Sequence, residues 1–247
     1  MRYAPGLLVG AVAVAALAAR VPAVGRTATV RALIVTGGHD FERDAFFAMF
    51  SAEEGLEWRE ALQPAASDEY TESRAKGYDA IVLYDMMQEI TDAQKANLLA
   101  RIREGKGLVV LHHALGSYDT WPEWWKVVGG HYLMTPRTVD GRDLPGSTFR
   151  EGVDIRVQIA DRHHPVTRGL EDFTIHDEVY GGMWVSPDAH LLLRTDHPES
   201  TPEMAWAGRL GRGRVAAIQL GHGPSAYANP SYRRLVGNAI RWCARKD

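Results

Sequence analysis

The chain has 247 residues, 45% of them hydrophobic and 24% charged, and a formal net charge of −3. That length and apolar share suit one domain with a sizeable core and exclude a disordered, collagen-like or coiled-coil chain. An acidic balance with scattered basic residues excludes a generic binder of nucleic-acid backbones.

In chain order, Met1-Arg2 precedes an almost unbroken run of Leu, Val, Ala and Gly from Leu7 to Ala19. Together with the small residues around Ala19 and Ala23, this has the form of a secretory signal peptide over residues 1–26. The run is short for a membrane span. The expectation is a periplasmic or secreted protein with no stable membrane insertion after cleavage; uncleaved, the segment would be an anchor. Residues 29–245 then read as one domain.

Residues 30–36 form a short apolar run closed by Gly37-Gly38, a buried strand entering a tight turn. Ala45, Phe46, Met49 and Phe50 recur at helical spacing within residues 42–54, and Gly55 stops that helix. Residues 56–62 and 79–84 read as strands. Residues 91–104 form an amphipathic helix with Thr91 as N-cap, and residues 107–111 a fourth buried strand. Nearly all-apolar strands alternating with helices imply a doubly wound, mostly parallel α/β sheet with helices on both faces. Ligand groups then belong beyond the carboxyl ends of the strands. The second half is richer in strands, at residues 153–159, 190–194, 204–206 and 214–220, before a closing helix over 231–245. Residues 134–152, rich in Gly, Pro and Thr, are expected as a loop bordering the site. The single cysteine, Cys243, falls on an apolar helical stripe and reads as buried and structural.

All ten histidines lie after residue 38, several just past a strand. His39 and Asp40 follow the first strand, His112 and His113 the fourth, and His222 the last. Asp177 and Glu178 share a segment with Tyr180, taken as a loop near His163 and His164. Two chemistries use such a set. Three His or carboxylate groups can hold a divalent metal, with zinc, manganese or cobalt suiting mixed ligands. Alternatively Glu178 and a histidine act as base and acid on a sugar carbon beside a carbonyl. The tryptophans 121, 124, 125, 184 and 206 offer flat faces for a sugar ring, though most suit the core. The Thr36-Gly37-Gly38-His39-Asp40 turn lacks dinucleotide-binding glycine spacing, so no nucleotide cofactor is expected.

Five segments in order resemble one known family. They are residues 105–114 with Leu111-His112-His113-Ala114, residues 125–131 ending Gly129-Gly130-His131, the His164-Pro165 turn, Asp177-Glu178-Val179-Tyr180, and the closing Ala205-Trp206 … Leu220-Gly221-His222. In this order they are similar to the ThuA-like (trehalose utilisation) family. The resemblance implies a flavodoxin-like fold similar to class I glutamine amidotransferases, and sugar catabolism around trehalose and 3-keto sugars. Amidotransferases place a cysteine nucleophile at the turn that here holds His112-His113, so glutamine hydrolysis by that route is excluded. The matching site positions are His112, His131, His164, Asp177, Glu178 and His222. The expected metal set is His112, His131 and His222. Glu178, Asp177, His112 and His113 are expected in catalysis, and His39, Asp40, His164, Tyr180 and Trp125 around a carbohydrate. The expected activity is an exported sugar enzyme; the alternative is a non-catalytic carbohydrate-binding or scaffold domain of the same fold.

Overall fold

A computed structural model describes Met1 and residues 28–247. The expected signal peptide thus lies, Met1 apart, outside the described residues. The first half alternates β1 (Val30–Gly37), α1 (Arg43–Ser51), β2 (Leu56–Leu62), β3 (Ala80–Asp85), α2 (Asp92–Arg103) and β4 (Gly107–Leu111). There follow α3 (Pro122–Val128), β5 (Gly130–His131), a small hairpin of β6 (Arg137–Val139) and β7 (Arg142–Leu144), β8 (Thr148–Ile159) and β9 (Phe173–Gly181). The chain closes with β10 (Trp184–Val185), β11 (His190–Thr195), β12 (Glu203–Leu210), β13 (Gly213–Ile218), α4 (Pro224–Ala228) and α5 (Pro230–Cys243).

The main sheet runs β2-β1-β3-β4-β13-β12-β11-β8-β9. Neighbours from β2 to β13 are parallel, and those from β13 to β9 antiparallel. The parallel block is the doubly wound core; the strand-rich second half adds an antiparallel wing. The two-residue period of a strand sends neighbouring side chains to opposite faces. Ala32, Ile34, Val82, Val109 and Ile218 join one core with Phe46, Phe50 and Leu235 of the helices. Leu33, Val35, Ile81, Val110 and Val215 join the other with Leu98, Ile102 and Trp124. Burying each such side chain is worth ~1.5–3 kcal/mol, against a total span of ~1 kcal/mol for strand propensity. Packing therefore decides these strands.

Helix α2 starts on a capping box: Gln94 N–H donates to Thr91 Oγ1 at 3.3 Å, and Thr91 N–H to Gln94 Oε1 at 3.0 Å. Cys243 is buried, with Sγ 3.2 Å from the Leu108 carbonyl oxygen, as its apolar stripe implies. Two expectations change. Asp177, Glu178 and Tyr180 stand on β9, not in a loop; this polar segment is a strand because Ile175, Val179 and Tyr180 are buried by the layers around it. Residues 134–152 are not one loop but hold the β6–β7 hairpin and the start of β8. Among the described residues no helix is long and apolar enough to cross a membrane.

Candidate metal centre

Strand β4 ends at Leu111, and His112 turns the chain at φ +48°, a left-handed conformation that a non-glycine residue keeps only under constraint. Part of the constraint is visible. His112 Nδ1 lies 2.8 Å from the Gln219 carbonyl oxygen. A carbonyl only accepts, so Nδ1 carries a hydrogen, which leaves Nε2 to hold a cation or, when protonated, to donate to Glu178. That Nε2 is 2.9 Å from Glu178 Oε2, 3.1 Å from His222 Nδ1 and 2.9 Å from the Tyr180 hydroxyl. His222 Nδ1 is itself 2.9 Å from the same Glu178 oxygen. Glu178 and Tyr180 share a face of β9 because they are two residues apart.

His222 owes its place to a backbone cradle. The buried Asp177 carboxylate accepts from Gly221 N–H at 2.7 Å and from His222 N–H at 2.9 Å. The Tyr84 hydroxyl donates to the Gly221 carbonyl at 2.7 Å, and Tyr227 to the His222 carbonyl at 3.0 Å. Gly221 sits at φ +118°, and a Cβ there would stand 2.1 Å from the Tyr232 hydroxyl. Only glycine fits that corner.

Electrostatics follow from this packing. Burial opposes ionisation of Glu178, but hydrogen bonds from His112 and His222 prevail and hold its carboxyl down at about 2. The bond to Glu178 pushes His222 up, against partial burial. Burial pushes Asp177 up, opposed by His112 and the two backbone donors. Burial and the neighbouring imidazoles His112 and His39 pull His113 down to about 2, so that ring is neutral.

His112 Nε2, His222 Nδ1 and Glu178 Oε2 thus form a triangle with edges of 2.9–3.1 Å. Ligands roughly 2.1 Å from a divalent ion stand about 3.0 Å apart when octahedral and about 3.4 Å when tetrahedral. The donors fit one cation with little adjustment, and an N,N,O set suits zinc, manganese or cobalt. Without a cation, a proton on His222 and the Tyr180 hydroxyl meet the same lone pairs, so metal and protons compete for one place.

In front of the triangle opens a cavity of about 290 Å³, lined by Glu178, Tyr180 and His222 together with His113 and His39. His39 stacks on His113 at 4.4 Å and 18°. Asp40 lies in an adjoining cavity of about 410 Å³ that shares His39. Three expected residues are elsewhere. His131 does not join His112 and His222; its Nε2 meets Asp119 at 3.1 Å and its ring stacks on Trp125 at 4.3 Å. The pairing of β5 with β10 draws it there, and Glu178 takes its place in the triangle. Trp125 is buried, with Nε1–H donating to the Tyr118 carbonyl at 3.3 Å, and does not line the cavity. His164 accepts from Val166 N–H at 3.2 Å and packs edge-on against Trp242 at 4.7 Å. Sequence reading missed Gln219, whose backbone carbonyl orients His112, and Tyr84, whose hydroxyl donates to the Gly221 carbonyl. The signal for Gln219 was a polar residue inside the apolar run after Val215.

The family model described as ThuA, trehalose utilisation, matches residues 31–243. This chain belongs to the ThuA family. A ThuA-like protein from Parabacteroides merdae has the same fold, with a TM-score of 0.70 at 16% identity over 87% of this chain and 90% of that one. A ThuA-like protein from Bacteroides uniformis gives 0.68 at 20% identity over 90% and 95%. PurLQS from Thermotoga maritima gives 0.55 at 13% identity over 87% and 99%, which ties the ThuA fold to the glutamine amidotransferase-like class. No curated protein matches the chain significantly. In this ThuA chain the corner after β4 carries His112, and the only cysteine is buried in α5.

Proposed function

We propose that this ThuA-family protein is an exported enzyme of carbohydrate metabolism, acting on a glycoside or 3-keto sugar of the trehalose class with a divalent cation held by His112, Glu178 and His222. The observation that carries the reading is the convergence of two imidazole nitrogens and one carboxylate oxygen at 2.9–3.1 Å on the cavity floor. A cation there supplies Lewis-acid polarisation of a sugar carbonyl or hydroxyl oxygen. The remaining steps belong to the chain. Asp177 fixes His222 through its backbone. The Tyr180 hydroxyl, beside the triangle, donates a hydrogen bond to a substrate oxygen. His113, kept neutral by burial, and His39 stacked on it form one wall. Met86, Tyr132, Met134 and Phe149 supply an apolar wall for the C–H face of a ring. The main cavity lies near the lower end of the range for small-molecule sites, roughly 300–1,000 Å³. It suits one ring, and the adjoining Asp40 cavity leaves room for the second ring of a disaccharide. The composition of residues 1–26 supports export.

The test is turnover of trehalose, 3-keto-trehalose and p-nitrophenyl 3-ketoglucoside by protein loaded in turn with zinc, manganese and cobalt. Metal-dependent conversion of a 3-keto substrate is expected, lowered at least ~100-fold in His222→Ala. Sugar binding without conversion would make the chain a binding module and overturn the reading.

A further inference from the structure

The ladder between β8 and β9 pairs Arg150 with Val179 and next Val153 with Asp177. Two β8 residues, Glu151 and Gly152, therefore stand opposite the single β9 residue Glu178. This is a β-bulge, and Gly152 accommodates it at φ +66°. Bulges re-aim side chains and recur beside active sites. Here the bulge brings Glu151 to the wall of the cavity that Glu178, Tyr180 and His222 also line. Phe149, two residues earlier and so on the same face, lines it too and is 61% exposed.

The two facing carboxylates differ in every respect that bears on proton transfer. Glu178 is buried and engaged by two imidazoles. Its Oε2, set between the two imidazoles, is the oxygen placed to hold a cation. Glu151 is exposed, and no hydrogen bond or ion pair among the described residues engages it. Asp177 has both oxygens occupied by backbone donors. Of the two carboxylates among the described residues lining the cavity, Glu151 is thus the one that no hydrogen bond or ion pair engages. Unlike environments assign unlike roles to paired carboxylates.

We propose that Glu151 is the proton-transferring group of this site, acting on the carbon beside a sugar carbonyl; the assignment rests on the sugar-enzyme reading above. With a 3-keto sugar, a Glu151 oxygen takes the hydrogen from C2. The C–H electron pair becomes the C2=C3 bond, and the carbonyl π pair moves onto its oxygen to give the enolate. Glu151 then returns the proton. Nothing is oxidised or reduced, and no co-reactant is consumed.

The experiment follows loss of the C2 hydrogen of 3-keto-trehalose in deuterated water by NMR, using metal-loaded wild type, Glu151→Gln and Glu151→Asp. Bound metal, thermal midpoint and trehalose affinity by calorimetry are measured alongside. Glu151→Gln is expected to slow exchange at least ~100-fold, with metal content and trehalose affinity retained, and Glu151→Asp to recover part of the rate. Exchange in Glu151→Gln within about threefold of wild type overturns the assignment and leaves the sugar-enzyme reading standing. A loss of trehalose affinity as large as the loss of exchange also overturns it, making Glu151 a binding residue. Wild-type protein that carries metal but shows neither exchange nor turnover sinks the sugar-enzyme reading, and the Glu151 assignment with it.

Discussion

Gly221→Ala is the sharpest perturbation, because the backbone corner it disturbs carries His222. Two costs add. At φ +118° an alanine is held in a sparsely populated region, which costs ~1–3 kcal/mol. Its Cβ would also stand 2.1 Å from the Tyr232 hydroxyl and 2.7 Å from Tyr232 Cζ, an overlap of the overpacking kind worth a further ~1–3 kcal/mol. The variant should lose about 2–6 kcal/mol of a total near 5–15 kcal/mol. Urea denaturation with matched slopes reads this directly. A second variant separates the two costs. The Tyr232 hydroxyl is buried without a hydrogen-bond partner, so Tyr232→Phe alone should change stability by less than ~1 kcal/mol. Combined with Gly221→Ala, it should restore part of the loss by removing the closest overlap. A loss below ~1 kcal/mol in Gly221→Ala, or no recovery in the double variant, would refute the reasoning about this corner.

Three further outcomes are expected. Asp177→Asn, which replaces one carboxylate oxygen that accepts from a backbone N–H with an amide donor, should weaken zinc binding ~10–100-fold in a chelator competition while the fold persists; unchanged affinity would show that the cradle does not matter. Burial lifts Asp85 to about 7 despite its bond from Gln63, so the folded chain keeps that proton to higher pH than the unfolded chain. Wild-type stability should therefore fall, relative to Asp85→Asn, as pH rises from about 4 to about 7, by at most ~4 kcal/mol, and level off above; a pH-independent difference in urea midpoints would contradict this. Burial pushes the Cys243 thiol up, so a disulfide reagent should label the native chain only at the rate of unfolding, and labelling within seconds would place the thiol at the surface.

The parallel half of the fold was legible because strands buried on both faces leave continuous apolar runs, as in Leu33, Ile34 and Val35 or Leu108, Val109 and Val110. The antiparallel wing was legible only in pieces. Strand β9 carries His176, Asp177 and Glu178, and no local pattern reveals that folding buries the last two. Position at a strand end found His112, His113 and His222, since the doubly wound topology gathers those ends on one rim. The family resemblance, not strand position, grouped His131 with them, and side-chain direction there is decided by the pairing of β5 with β10 and by stacking on Trp125. Gln219 orients His112 with a carbonyl that every residue type possesses, so only its unusual polarity within β13's continuation marked it. The Glu151 bulge depends on ladder register, which emerges only when β8 and β9 are seen paired.

The most direct measurement is X-ray absorption on the protein titrated with zinc, alongside His222→Ala. One zinc per chain is predicted, with two imidazole nitrogens and a carboxylate oxygen in its inner shell in wild type and a single imidazole in the variant. A shell without imidazole, or one that His222→Ala leaves unaltered, would contradict the assignment of His112, Glu178 and His222 as the cation's ligands.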